Sequence, residues 1–265
     1  MKSPSTRVAL TIAGSDSSGG AGIQADLKTF AALGVYGTSA VTAVTAQSTL
    51  GVVEAAVLSA DLVTAQIEAV AGDIEIHAVK TGMLGDAAVV EAVAAAIKEL
   101  ELPLVVVDPV LASSSGARLL DDDGLQMLGA RLLPLARVVT PNVPEAEVLS
   151  GKQILSDGDL REAARRIHNM GAAAVIITGG HRPGSDVVDT LFDGHKFSEF
   201  RTRRIDSSNT HGTGCTFAAA VAAHLALGHS LSDSAGRAQK YVAGAIQHSL
   251  AIGKGHGPLD HFWNR

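Results

Sequence analysis

Along the chain, runs of apolar, β-branched residues alternate with segments whose apolar positions recur at helical spacing. VALTIAG (8–14), SAVTAVTAQ (39–47), HAVKTG (77–82), LVVVDPV (104–110), RVVTPN (137–142) and AAVIITGG (173–180) read as buried strands that end in loops rich in Gly, Pro, Asn and Asp. Between them, residues 23–33, 61–72, 86–100 and 159–171 carry helical periodicity, several with an acidic residue opening the first turn and glycine at the end. This alternation predicts an α/β fold with a mostly parallel sheet and helices on both faces. Residues 187–205 read instead as an antiparallel hairpin around Asp193-Gly194, and two helices, over 213–227 and 231–250, close the chain. No internal repeat and no low-complexity segment interrupts the pattern.

Composition narrows the function. A chain of 265 residues without a linker is expected to form one domain over 1–265. Its formal charge of -6 and sequence pI near 5.9 argue against a nucleic-acid surface, so any phosphate must be held locally. Charged residues make up 18% while mean hydropathy is +0.24, an excess of apolar surface that leads us to expect a homodimer. The single cysteine rules out an internal disulfide and any multi-thiolate zinc site, as suits a cytoplasmic protein. The start, MKSPSTRVALTIAGS, mimics a signal peptide, but its apolar part is short and runs into a glycine-rich loop, so we read it as a first strand. The most apolar helix, at 217–227, is too short to span a bilayer.

In such a sheet ligands collect beyond the carboxyl ends of the strands. AGSDSSGGAG (13–22) lets a ligand approach the backbone, but it has neither the GxGxxG spacing of a dinucleotide site nor the Lys-Ser/Thr ending of a P-loop. NTHGTGC (209–215) is more pointed. Gly212 and Gly214 let successive amides, including that of Thr213, converge at the start of a helix whose dipole favours an anion. Cys215 falls in that first turn, where the same field is expected to lower the thiol pKa. A lone cysteine is otherwise a small core hydrophobe, and the glycine context favours function over that reading.

AGSDSSGGAGIQADLKTF, AQST, KTGML, VDPV, TPNVPEAEVLSG, GGH, NTHGTGC and GHGPLDHF occur in the order and spacing of bacterial hydroxymethylpyrimidine and phosphomethylpyrimidine kinases, which belong to the ribokinase superfamily. The chain resembles that family from about Val8 to Phe262. The resemblance implies a ribokinase-like three-layer α/β/α sandwich that uses ATP and Mg2+ to phosphorylate 4-amino-5-hydroxymethyl-2-methylpyrimidine and then its monophosphate. It also implies that Gly14, Ala21, Asp26, Gln47, Met83 and Val110 enclose the pyrimidine, with Asp26 orienting its polar groups, although Asp26 by itself reads as an exposed carboxylate of the first helix. Period-two alternation puts Val41, Ala43, Thr45 and Gln47 on one strand face, and the Gln47 amide offers a donor and an acceptor to an aminopyrimidine edge; a surface turn glutamine is the alternative.

Asp108, and Asn142 with Glu145, end adjacent strands and supply hard oxygen ligands suited to magnesium against phosphates. Glu145 alone would read as a helix cap; the superfamily's NxxE pattern favours the metal role. Thr210 and Lys240 are expected to touch the nucleotide. Many ribokinase-like enzymes carry aspartate where this chain has Cys215, and cysteine resembles the pyrimidine-kinase branch. One position departs from the pattern. Where relatives commonly read KGGH, this chain has Thr178, a hydroxyl without positive charge, so either turnover is slower or Lys80 or Lys240 compensates. His181, His224, His256 and His261 fit no zinc spacing and read as structural, while His211 lies inside the anion loop. Pyridoxal kinase, on the same scaffold, and a non-catalytic pyrimidine sensor are the rival functions.

Overall fold

A computed structural model describes residues 6–112, 116 and 118–265; the basic start at 1–5 lies outside them. Nine strands form one sheet: β1 (Val8–Asp16), β2 (Tyr36–Ser48), β3 (Gly51–Val57), β4 (Ala78–Thr81), β5 (Val105–Val107), β6 (Val138–Val139), β7 (Val175–Ile177), β8 (Asp186–Phe192) and β9 (Phe197–Arg203). Their order is β3-β2-β1-β4-β5-β6-β7-β8-β9. The six central strands pair in parallel, β8 and β9 form the expected antiparallel hairpin on one edge, and β3 adds an antiparallel strand on the other. The sequence reading missed β3 because its valines face solvent rather than a core; Val53 is 86% exposed.

Successive residues of the inner strands enter opposite cores, which is why these strands read as unbroken apolar runs. Val105 and Val107 join the layer of α2 (Ala60–Ala71), α3 (Ala87–Glu99), α4 (Asp122–Met127) and α6 (Asp157–His168), whereas Val106 joins that of α1 (Gly22–Ala32), α7 (Thr213–Ala226) and α8 (Leu231–Gln247). Three layers result, as expected. Ser59, Asp86 and Ser156 cap α2, α3 and α6 through their side chains. By contrast α7 begins at Gly212 with no side-chain cap. Among the described residues no helix is long and apolar enough to cross a membrane.

Two details position the site. From β1 the chain first builds leftward to β2 and β3 and then crosses to β4, so the strand order reverses between β1 and β4 and opens a crevice at their carboxyl ends. Second, the β1–β2 register advances from Ala13↔Val41 to Ser15↔Val44, one extra residue on β2. This bulge breaks the expected alternation: Val41 lies opposite the face that carries Thr45 and Gln47.

Candidate active site

A cavity of about 780 Å3 opens along the carboxyl ends of the parallel strands. At one end it is walled by Gly14 on β1, Ala21 in the loop that follows, Gln47 on β2 and Met83 after β4; at the other by Asn142, Thr178 and residues of β8 and α8. Val110 and Thr210 also line it. Asp108, Glu145 and the turn Gly212–Cys215 lie in its wall as well.

The turn is shaped by glycine. Gly212 adopts φ +83°, and a Cβ there would stand 1.9 Å from the carbonyl oxygen of Gly20. Thr213 turns its amide and hydroxyl back onto the Thr210 carbonyl at 3.3 and 2.7 Å. The amides of Gly214 and Cys215 find no acceptor among the described residues, and a Cβ on Gly214 would meet nothing within 4 Å. An uncapped helix start with open space before it is a seat for an anion.

The loop after β1 is held by Asp16, whose role the sequence reading did not single out. Its carboxylate accepts the amides of Ser18, Gly20 and Ala21 at 2.8, 3.2 and 2.8 Å and faces Nε2 of His211 at 2.8 Å. Burial would raise the Asp16 carboxyl, but hydrogen bonds from His211, Ser18 and Ala21 prevail and hold it at about 2. His211 also meets the Gln47 amide nitrogen at 3.3 Å, so it joins the anion turn to the glutamine expected to read the acceptor.

Beneath the crevice Lys80 is fully buried, with Nζ 2.9 Å from Asp26 Oδ2 and 3.8 Å from Asp108 Oδ2. Burial lowers the lysine, yet the Asp26 and Asp108 carboxylates raise it, so it stays an ammonium. Asp26 is neither the exposed carboxylate its helical position suggested nor part of the cavity wall; Lys80 and Thr11 Oγ1, at 2.6 Å, engage it below the floor. The Lys80 ammonium is spent on these acids rather than standing in for the lysine absent at Thr178. Lys240 points outward from α8, exposed and off the cavity wall.

Cys215 corrects the expectation of a lowered pKa. Although part of the residue reaches the cavity, burial pushes its thiol up to about 12, with Asp108 and Asp26 adding to the rise and Lys80 opposing it. It is a neutral thiol, close enough to the Asp108 carboxylate for each to shift the other's pKa. The helix dipole loses because desolvation and two nearby acids outweigh the partial charge of one helix end.

Asp108 and Glu145 are raised to about 6 and about 8 by burial, with Asp108 adding to the rise of Glu145. Asn142 and Glu145 also form a capping box at the start of α5 (Val143–Ser150), with both hydrogen bonds at 2.9 Å, so the cap reading of Glu145 holds beside its place in the cavity wall. Asp108 Oδ2 is buried without a hydrogen-bond partner. Two hard-oxygen carboxylates with an orphaned oxygen fit a divalent cation that takes its remaining ligands from phosphate and water; no group of three or more acidic, His or Cys side chains arranged to hold a metal ion by themselves occurs among the described residues. His181 and His256 line the cavity rather than the core. His224 and His261 are buried and lowered to about 4 by desolvation, in line with structural roles.

A profile described as phosphomethylpyrimidine kinase matches residues 16–260. The chain belongs to the phosphomethylpyrimidine kinase family. A hydroxymethylpyrimidine/phosphomethylpyrimidine kinase of Bacillus subtilis is 50% identical over 255 residues, 96% of this chain and 94% of that one. A thiamine biosynthesis bifunctional protein of Geobacter sulfurreducens is 50% identical over 252 residues, and the chain spans 51% of its length. Among solved structures, the pyridoxal kinase of Staphylococcus aureus in complex with AMP-PCP and pyridoxal has a TM-score of 0.90 at 37% identity, with 98% of this chain and 95% of that chain covered. The family's fold is the three-layer arrangement described above.

Lys80 and Asp189 also belong to this site, as buried charges among the valines and leucines of AVKT and DVVDTLF. That signal was present in the sequence, since a charge on a buried strand needs a partner.

Proposed function

We propose that this chain is a kinase that transfers the terminal phosphoryl group of ATP to the hydroxymethyl oxygen of 4-amino-5-hydroxymethyl-2-methylpyrimidine, and then to the phosphate of that product. The observation that carries the proposal is the uncapped turn Gly212–Cys215, its free amides at Gly214 and Cys215 facing a cavity that also holds Gln47 and the carboxylates of Asp108 and Glu145.

Gln47 and the glycine-rich loop after β1 bind the acceptor, with Gly14 and Ala21 keeping the wall thin and Met83 and Val110 packing on the ring. Thr178 and Thr210 flank the nucleotide. The free amides of Gly214 and Cys215 face the transferred group, where charge develops on its oxygens. Asp108 and Glu145 would hold Mg2+, which would supply neutralising charge to the phosphates. As the acceptor oxygen bonds to phosphorus and the bond to the nucleotide's bridging oxygen breaks, the hydroxyl proton passes to Sγ of Cys215 while the thiol proton passes to Asp108. A neutral thiol beside a carboxylate thus relays a proton without a standing thiolate.

The test is an ADP-release assay with hydroxymethylpyrimidine, its monophosphate and pyridoxal supplied separately. ADP release with both pyrimidines supports the proposal; release with pyridoxal alone moves the chain to the second reading, which its likeness to a pyridoxal-bound kinase favours. Pyrimidine binding with no ADP release overturns both in favour of a sensor.

A further inference from the structure

Thr178 brings no charge to its end of the cavity, and Lys80 and Lys240 are engaged or turned away. The loop that follows, 178–185, is nonetheless gripped at both ends by side chains of the β8–β9 edge. Asp189, buried on β8, accepts the Gly179 amide at 2.8 Å through Oδ1. Gly179 itself is pressed so close to β8 that a Cβ would lie 2.2 Å from the Val188 carbonyl oxygen. From the far end of β9, the Arg204 guanidinium donates from Nη1 to the Gly180 carbonyl and from Nε to the Gly184 carbonyl, both at 2.9 Å, and from Nη2 to that of Arg182.

Three carbonyls gathered on one guanidinium set the curvature of the loop, and the carboxylate fixes its first amide. Both side chains also face the cavity, alongside Gly180 and His181. The three donated bonds leave further guanidinium hydrogens available, and the charge acts on the cavity wall: the His181 ring is lowered by burial and by Arg204. Gly180 has no atom within 4 Å of where a Cβ would stand, so the clamped loop presents bare backbone to the cavity.

On the reading of the chain as an ATP-dependent kinase, we propose that Asp189 and Arg204 are positioning residues that shape the nucleotide end of the cavity, with Arg204 supplying the positive charge that Thr178 lacks. The clamp is built from the antiparallel edge alone and touches none of the acceptor-side residues. It therefore predicts a split: loss at the nucleotide, none at the acceptor.

The experiment is equilibrium binding of AMP-PCP and of hydroxymethylpyrimidine, with KM for ATP, on wild type, Asp189→Asn, Arg204→Lys and Arg204→Gln. Loss of the guanidinium's charge and of its grip on three carbonyls is expected to weaken AMP-PCP about tenfold in Arg204→Gln, and less in Arg204→Lys; Asp189→Asn keeps an amide oxygen for the Gly179 N–H but loses the negative charge, so its expected weakening is smaller, about threefold. Affinity for hydroxymethylpyrimidine is expected to stay within about twofold, because additive, distant sites do not share partners. Should Asp189→Asn fail to fold, the two Arg204 variants carry the test, since their side chain sits at the half-exposed rim. Unchanged AMP-PCP binding in variants of an active wild type, or equal weakening of both ligands, overturns the clamp and leaves the kinase reading intact. A wild type that binds no AMP-PCP overturns both.

Discussion

Lys80 Nζ and Asp26 Oδ2 stand 2.9 Å apart with neither side chain reaching solvent, and together they form the charged floor under Cys215 and Asp108. A buried pair contributes little net stability when intact but costs several kcal/mol when one partner is removed. Lys80→Met is therefore expected to lower unfolding free energy by about 3–5 kcal/mol, and Asp26→Leu by a similar amount. The double variant is expected to lose far less than the sum. Urea denaturation of the three variants checks this; strict additivity would show that the pair is not coupled.

The thiol of Cys215 gives the most direct chemical readout, because the chain has one cysteine. With its pKa at about 12, alkylation by iodoacetamide at pH 8 is expected to be at least about tenfold slower than for an ordinary cysteine, whose pKa is about 8.5. Mass spectrometry over time measures it. Cys215→Ala is expected to lower kcat by about 100-fold or more, the usual scale of a lost proton-transfer group, while pyrimidine affinity stays within about threefold. Rapid labelling at neutral pH would contradict the raised thiol.

Gly212 and Gly214 separate fold from function. Gly212→Ala forces a side chain into the Gly20 carbonyl at positive φ, so the loop pairing breaks and thermal stability falls by an expected ~2 kcal/mol or more. Gly214→Ala meets no protein atom; its melting temperature is expected to stay near wild type while AMP-PCP binding is lost, because the methyl occupies the anion's place. Calorimetry and nucleotide titration on both variants decide the matter.

The pair Asp108 and Glu145 makes the ligand-free chain sensitive to alkali. Unfolded, both carboxyls release their protons near pH 4, whereas folded they hold them to about 6 and about 8. Over that interval the folded state binds more protons, so unfolding free energy falls as pH rises from about 4 towards 8. Mg2+ with AMP-PCP is expected to flatten the slope and to release protons on binding, which calorimetry in two buffers of different ionisation enthalpy detects. A pH-independent melting temperature without ligand would refute the mutual charging.

Much of the scaffold was legible because the inner strands carry unbroken apolar runs and their helices open with caps. The β8–β9 hairpin announced itself at Asp193-Gly194. Strand β3 did not, since its valines face solvent and pattern arguments look for a buried face. The bulge on β2 was invisible too: a one-residue register change leaves no compositional trace, yet it moved Val41 to the other face. In the site, glycine spacing located the anion turn, but the protonation of Cys215 depended on Asp26, Lys80 and Asp108, which arrive from three other elements. Asp26 looked exposed for the same reason. Its burial partner lies 54 residues away.

The reversal of strand order between β1 and β4 also divides the work of the molecule by chain segment. Most residues proposed to line the acceptor end come from the first third, joined by Val110 after β5, and those at the proposed donor end come from the later strands and α8, with the 209–215 turn and the Asp108 tip between them. Grafting a relative's 13–22, 45–47 and 82–83 loops onto this body would thus exchange the recognised alcohol while keeping the phosphate donor.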